Sequence, residues 1–113
     1  MDEANKIKFG SYSDDKLLEA AKHGDFNLCK HIISLPVEEG GLILLRFLGK
    51  DNFGNTALHL ASKNGHIEIV KLLLDNGVGT DSRNELGKTP KELATNNGHK
   101  DIVDLFNAYR KNI

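Results

Sequence analysis

Apolar residues recur at helical spacing in three places along the chain. Leu28-Cys29 is followed by Ile32-Ile33, Ile69-Val70 by Leu73-Leu74, and Ile102-Val103 by Phe106. Positions i, i+1, i+4 and i+5 share one side of an α-helix, so each set predicts a helix with a buried face. The three sets stand in register: Leu28, Ile69 and Ile102 form one row, Cys29, Val70 and Val103 a second, and Ile32, Leu73 and Phe106 a third. In the next row Ile33 and Leu74 give way to polar Asn107, as suits a last helix with no neighbour beyond it. Ahead of each set stands a small residue, Ala20, Ala61 or Ala94, and then a glycine, Gly24, Gly65 or Gly98. The alanines let an inner row of helices approach closely. The glycines predict left-handed closing residues.

The register reflects an internal repeat. Asp51-Asn52-Phe53-Gly54-Asn55-Thr56-Ala57-Leu58-His59-Leu60-Ala61 aligns with Asn84-Glu85-Leu86-Gly87-Lys88-Thr89-Pro90-Lys91-Glu92-Leu93-Ala94, 33 residues later. Upstream, Ala20-Ala21-Lys22-His23-Gly24 aligns with Ala61-Ser62-Lys63-Asn64-Gly65 at an offset of 41, which leaves eight surplus residues between Ser34 and Asp51. A period of this size marks stacked helical hairpins, which act by presenting a surface. Thr56 and Thr89 are placed to cap the first helix of their units, and Thr89-Pro90-Lys91-Glu92 reads as a capping box with proline at the first position. Ser13 is the expected N-cap of the first helix, with Asp14 and Asp15 in its first turn.

Gly54, Thr56, Leu58-His59, Ala61, Gly65-His66, Ile69-Val70 and Leu72-Leu73-Leu74 with Asn76-Gly77 resemble an ankyrin repeat. The resemblance runs from about Asp14 to Tyr109. It implies an all-α ankyrin-repeat solenoid of helix-turn-helix units linked by β-hairpin loops. It also implies one domain over 1–113, divided into 12–50, 51–83 and 84–113. Three positions depart from the family pattern. Ala57 replaces a proline, Lys91-Glu92 replaces Leu-His, and Gly79 stands where an aspartate is usual, so a looser hairpin is expected there. Arg110 takes the place of Gly77, so the last helix is expected to run on as a cap.

Ankyrin partners usually contact hairpin tips and the exposed side of the inner helices. By position, the resemblance assigns protein binding to Asn52, Phe53 and Asn55 at one tip and to Glu85, Leu86 and Lys88 at the next. It adds Lys63-Asn64 and Asn96-Asn97 at the inner-helix ends. Phe53 and Leu86 are equivalent and apolar where solvent is expected. Each is either an anchor for a partner or packed on the adjoining hairpin.

Charge narrows the partner class. The 113 residues carry 15 Lys and Arg against 16 Asp and Glu, a net charge of −1. These charges are evenly spread, without the basic footprint of a nucleic-acid binder. No apolar run reaches membrane-spanning length, and no secretory leader is apparent. A single cysteine excludes an internal disulfide framework, so the cytoplasm or nucleus is expected.

Candidate chemistry is sparse. His59, His66 and His99 are repeat-pattern residues, which the resemblance assigns to structural hydrogen bonds. Cys29 falls on a core row and reads as an inert apolar residue. No metal-ligand spacing, nucleophile arrangement or phosphate loop occurs, so neither catalysis nor a cofactor is expected. The segment Leu42-Ile43-Leu44-Leu45-Arg46-Phe47-Leu48 is unusually apolar for an insertion. It reads either as a piece folded over the first unit or as a self-association patch. These readings converge on a non-catalytic protein-interaction module. The alternatives are a dedicated inhibitor or assembly chaperone of one enzyme or complex, and a targeting domain excised from a larger enzyme.

Overall fold

A computed structural model describes residues 9–34 and 49–111, with side chains from 16 to 34 and 49 to 109. The Leu42 to Leu48 segment and its two readings lie outside the described residues. Among the described residues six helices follow one another: α1 Phe9–His23, α2 Phe26–Ser34, α3 Ala57–Lys63, α4 Ile67–Asp75, α5 Pro90–Asn96 and α6 Lys100–Lys111. There are no strands among the described residues. The protein is an all-α solenoid.

Each consecutive pair is an antiparallel hairpin. Helices α1, α3 and α5 pack side by side as an inner layer, with α2, α4 and α6 as the outer layer. The close inner contact follows from Ala20, Ala61 and Ala94, which are 2%, 0% and 0% exposed. The three apolar rows meet in one continuous core. Leu28 and Val103 are only partly buried, because an end unit has a neighbour on one side only. Ile33 and Leu74 are buried whereas Asn107 is exposed, so the stack ends on a polar face.

Helix ends follow the capping signals with one correction. Thr56 and Thr89 both accept from the N–H three residues on, and both are in capping boxes. Ser13, expected as the cap of α1, lies inside that helix, Phe9–His23. A cap needs non-helical backbone, and Ser13 has a full helical turn ahead of it. Asp14 and Asp15 are therefore not in the first turn. The final helix runs 12 residues against 9 for α4, as expected once Gly77 is replaced by Arg110.

The joints between units use two histidines. Gly65 closes α3 at φ +80°, and the imidazole of His99 lies over it. The ring's Nε2 donates to the Lys63 carbonyl at 2.9 Å. One unit earlier, His66 covers Gly24 and donates to the Lys22 carbonyl at 3.1 Å. A glycine is needed here twice over, for its backbone angle and for room to seat the next unit's ring.

Candidate functional site

The two described hairpin tips are built by the same device. Asp51 Oδ1 accepts the N–H groups of Phe53 and Asn55 at 2.9 and 2.8 Å. Asn84 Oδ1 accepts those of Leu86 and Lys88 at 3.0 and 2.9 Å. Such side-chain-to-backbone bonds fold a turn without strands beside it. Burial pushes the Asp51 carboxyl up, but the N–H groups of Asn55 and Phe53, with the Asn55 amide and His59, outweigh it and hold the group below the usual carboxylate range. Ionised Asp51 is thus the stable clamp at neutral pH.

The tips are also bonded to each other. Asn84 Nδ2 donates to Asn55 Oδ1 at 2.8 Å, and Glu85 N–H donates to the Phe53 carbonyl at 3.0 Å. Beneath them His59 is fully buried. Its Nδ1 accepts from Thr56 N–H at 3.1 Å, and its Nε2 pairs with the Lys88 carbonyl at 2.8 Å. An N–H can only donate and a carbonyl only accept, so the ring is neutral with its proton on Nε2. Burial is the main force pushing the ring below the usual histidine range, opposed in part by the Lys88 and Ser82 carbonyls and by Asp51.

Phe53 and Leu86 project from this bonded pair of turns. They are 69% and 81% exposed, the large apolar side chains left uncovered among the described residues. Neither is covered by the adjoining hairpin. Asn52 and Glu85 are exposed beside them, and Lys88 is half-buried. Asn55 differs from the rest of the predicted site: it is 6% exposed and its amide is spent on Asp51 and Asn84. It holds the site together from below.

Lys63, Asn64, Asn96 and Asn97 are all exposed, but not beside the tips. They lie at the far ends of α3 and α5, seven-residue helices spanning about 10 Å. The predicted residues therefore form two clusters. Asn64 also bonds the Lys22 carbonyl at 3.2 Å, so it serves the first joint as well.

Sequence reasoning passed over Asn84, which clamps one tip and ties it to the other. The signal was available: Asp51 and Asn84 are equivalent by the repeat, and each precedes a glycine by three residues. It likewise passed over the Thr56–His59 capping box, because imidazole Nδ1 there does the work usually sought from Glu or Gln.

Catalytic groups do not assemble around these clusters. His59, His66 and His99 are committed to structural hydrogen bonds. The Cys29 thiol is fully buried, and burial, with help from Asp25, pushes it up to about 12. Among the described residues no group of three or more His, Cys, Asp or Glu could hold a metal ion. None of the described helices is long and apolar enough to cross a membrane.

A family model for ankyrin repeats (3 copies) matches residues 17–113. The chain belongs to the ankyrin-repeat family. Ankyrin repeats are in general protein-interaction modules and are typically non-catalytic. Over 37 residues, 33% of this chain, it is 51% identical to a Transient receptor potential cation channel subfamily A member 1 homolog of Caenorhabditis elegans. Over 76 residues, 66% of this chain, it is 38% identical to the E3 ubiquitin-protein ligase XBAT33 of Arabidopsis thaliana. These stretches span 3% of the channel and 13% of the ligase.

Proposed function

We propose that this ankyrin chain is a non-catalytic binding module that takes a partner protein on its bonded hairpin tips, with Phe53 and Leu86 as the apolar anchors. The observation that carries this reading is their exposure, 69% and 81%, at equivalent places on turns already fixed by Asp51 and Asn84. A pre-ordered tip spends little further entropy on binding, so two anchors can yield useful affinity. Asn52, Glu85 and Lys88 form the polar rim. Lys63, Asn64, Asn96 and Asn97 make a second contact zone for a partner long enough to reach it. The cytoplasm or nucleus suits a module with one free, buried cysteine.

The ligase relative favours a second reading. There a similar stretch occupies 13% of a much longer enzyme, which fits a target-binding element serving a catalytic part elsewhere. A dedicated inhibitor of one enzyme would use the same tips.

The test begins with affinity capture and mass spectrometry to obtain one partner, followed by calorimetry on the purified pair. Phe53→Ala and Leu86→Ala should each weaken binding by about 2 kcal/mol, roughly thirtyfold. Lys63→Ala and Asn96→Ala should do less, and Glu68→Ala on α4 almost nothing. A larger loss from Glu68→Ala than from Phe53→Ala would place the interface on the outer helices and overturn the reading.

A further inference from the structure

His59 differs from the other joint histidines in one respect: both its ring nitrogens are committed, one of them as an acceptor. His66 and His99 each donate Nε2 to a carbonyl, and Nδ1 makes no hydrogen bond among the described residues. A proton added to either ring breaks no bond. In His59 the free valence is Nδ1, which already faces the Thr56 N–H at 3.1 Å. A proton there leaves the Thr56 N–H without its acceptor; Thr56 Oγ1, 2.9 Å from the same nitrogen, can take the new N–H, but the charge stays inside a fully buried site.

The position is also unique within the stack. By the repeat, His59 corresponds to Leu18 in the first unit and Glu92 in the last. Leu18 is 9% exposed and Glu92 is exposed. So the same place holds an apolar side chain at the first unit, a buried imidazole at the joint between the second and third, and a solvated carboxylate at the end. Only the middle one couples burial to a titration near neutral pH.

We propose that the joint between the second and third units is proton-gated: protonation of His59 uncouples the Leu86 tip from the Phe53 tip and frees the third unit, while the first joint stays closed. As regulation of the binding surface this rests on the reading above; as a property of the fold it does not.

The route runs through named bonds. A charged ring must reach water, and leaving drops the Lys88 carbonyl, now held at 2.8 Å. Lys88 N–H is held by Asn84, and Asn84 carries the bond to Asn55. Release at Lys88 therefore removes support from the tip-to-tip link. In a linear stack an end unit whose interface weakens opens on its own.

The surrounding charges do not cancel the effect. Asp51, on the hairpin ahead of α3, favours a charged ring, and Lys50 beside it opposes one. Lys88 and Ser82, from the following hairpin, contribute carbonyls. Lys16, Glu19 and Lys22 on α1, Glu68 and Lys71 on α4, and Glu92 on α5 are exposed, and Lys91 is half-buried. Burial dominates, and the ring titrates lower in the closed joint than in the opened one. The opened form, with an ordinary value near 6.5, then binds more protons as pH falls below that value. Opening is favoured by up to tenfold per pH unit until the closed-state value is passed, and closure is fully regained above about 6.5. Asp51 and Glu92, both held below the usual carboxylate range, stay ionised through the upper part of this window.

Amide hydrogen exchange by NMR on the full chain tests this between pH 7.5 and 5.5, corrected for intrinsic rates. The expected result is an opening constant for α5 amides that rises up to tenfold per unit below about 6.5, with the buried amides at the end of α1 unchanged. His59→Gln keeps an acceptor and a donor but cannot take the proton, and should make α5 insensitive to pH. A flat α5 profile in the native chain, an equally steep one in the Gln variant, or parallel loss in α1 and α5 each overturns the proposal. Should the Gln variant fail to fold, the ring itself decides: protonation of His59 within this pH range with α5 protection unchanged overturns it too. No partner is involved, so indifference of binding to Phe53→Ala and Leu86→Ala would sink the binding-face reading and leave the gate standing.

Discussion

Gly65 and Gly98 close successive inner helices in the same way, and a comparison of the two isolates what the next unit's histidine contributes. Both have positive φ, +80° and +77°. An alanine at either pays the left-handed penalty of roughly 1–2 kcal/mol, offset by up to about 1 kcal/mol through the unfolded chain. They differ in what the new Cβ meets. At Gly98 nothing lies within 4 Å, whereas at Gly65 the Cβ would stand 2.8 Å from His99 Cε1. The ring must then shift, at the expense of its bond to the Lys63 carbonyl, about 1 kcal/mol. Gly65→Ala should therefore cost at least about 1 kcal/mol more than Gly98→Ala. Gly24→Ala should behave like Gly65→Ala, since His66 Cε1 lies 2.7 Å from its Cβ position. Gly79, with ordinary φ and nothing within 4 Å, should change by less than about 0.5 kcal/mol when made Ala or Val. Urea denaturation followed by circular dichroism resolves this, because at a slope of about 1–3 kcal/mol/M the extra cost moves the midpoint by roughly half a molar. In a His99→Ala background the excess at Gly65 should vanish. Equal midpoints for Gly65→Ala and Gly98→Ala in the native background would show that the ring does not seat on the glycine and would refute the joint described above.

Two further outcomes follow from single side chains. Cys29, fully buried and pushed up to about 12, should react with a thiol reagent at pH 8 only through opening, so urea below the unfolding midpoint should accelerate labelling well beyond its effect on a free thiol. Thr89→Ala should lose about 1 kcal/mol of stability as a helix cap, and Thr56→Ala more than that in the same melt, because Thr56 is 5% exposed and also steadies His59.

The fold was readable because its determinants are local and periodic. The rows through Ile69, Leu73 and Phe106 need only helical spacing to be seen, and Gly65 needs only its place after Ala61. The register of the units followed from the 33-residue recurrence. Ser13 was misplaced for a physical reason: serine suits a cap, but only the conformation of the residues before it decides whether the helix has already begun. The burial of Asn55 was not legible, because position alone cannot tell a tip residue that faces out from one that faces in. Phe53 and Asn55 are two apart in one turn, yet one is exposed and the other spends its amide on Asn84, 29 residues away. That bond belongs to the pairing of two tips and has no trace in either tip alone.

The division of the predicted site into two clusters bears on how a partner could use it. Phe53 and Leu86 sit on adjoining tips joined by main chain and amide bonds, so a partner touching one is within reach of the other and their losses on truncation should not be independent. Lys63 and Asn96 stand one short helix away, about 10 Å, with the buried length of α3 and the partly exposed α5 between. The side chains along α3 from Ala57 to Ser62 are buried, leaving only Lys63 exposed on that helix. A partner gripping both clusters finds little to hold along α3 and only the polar side chains of Glu92 and Thr95 along α5, so its contacts at the far end should add to those at the tips as separate terms. The tips are better placed to carry most of the affinity: they combine exposed apolar area with turns already fixed by Asp51 and Asn84, whereas the helix ends offer solvated lysine and asparagine side chains whose ordering offsets much of what they gain.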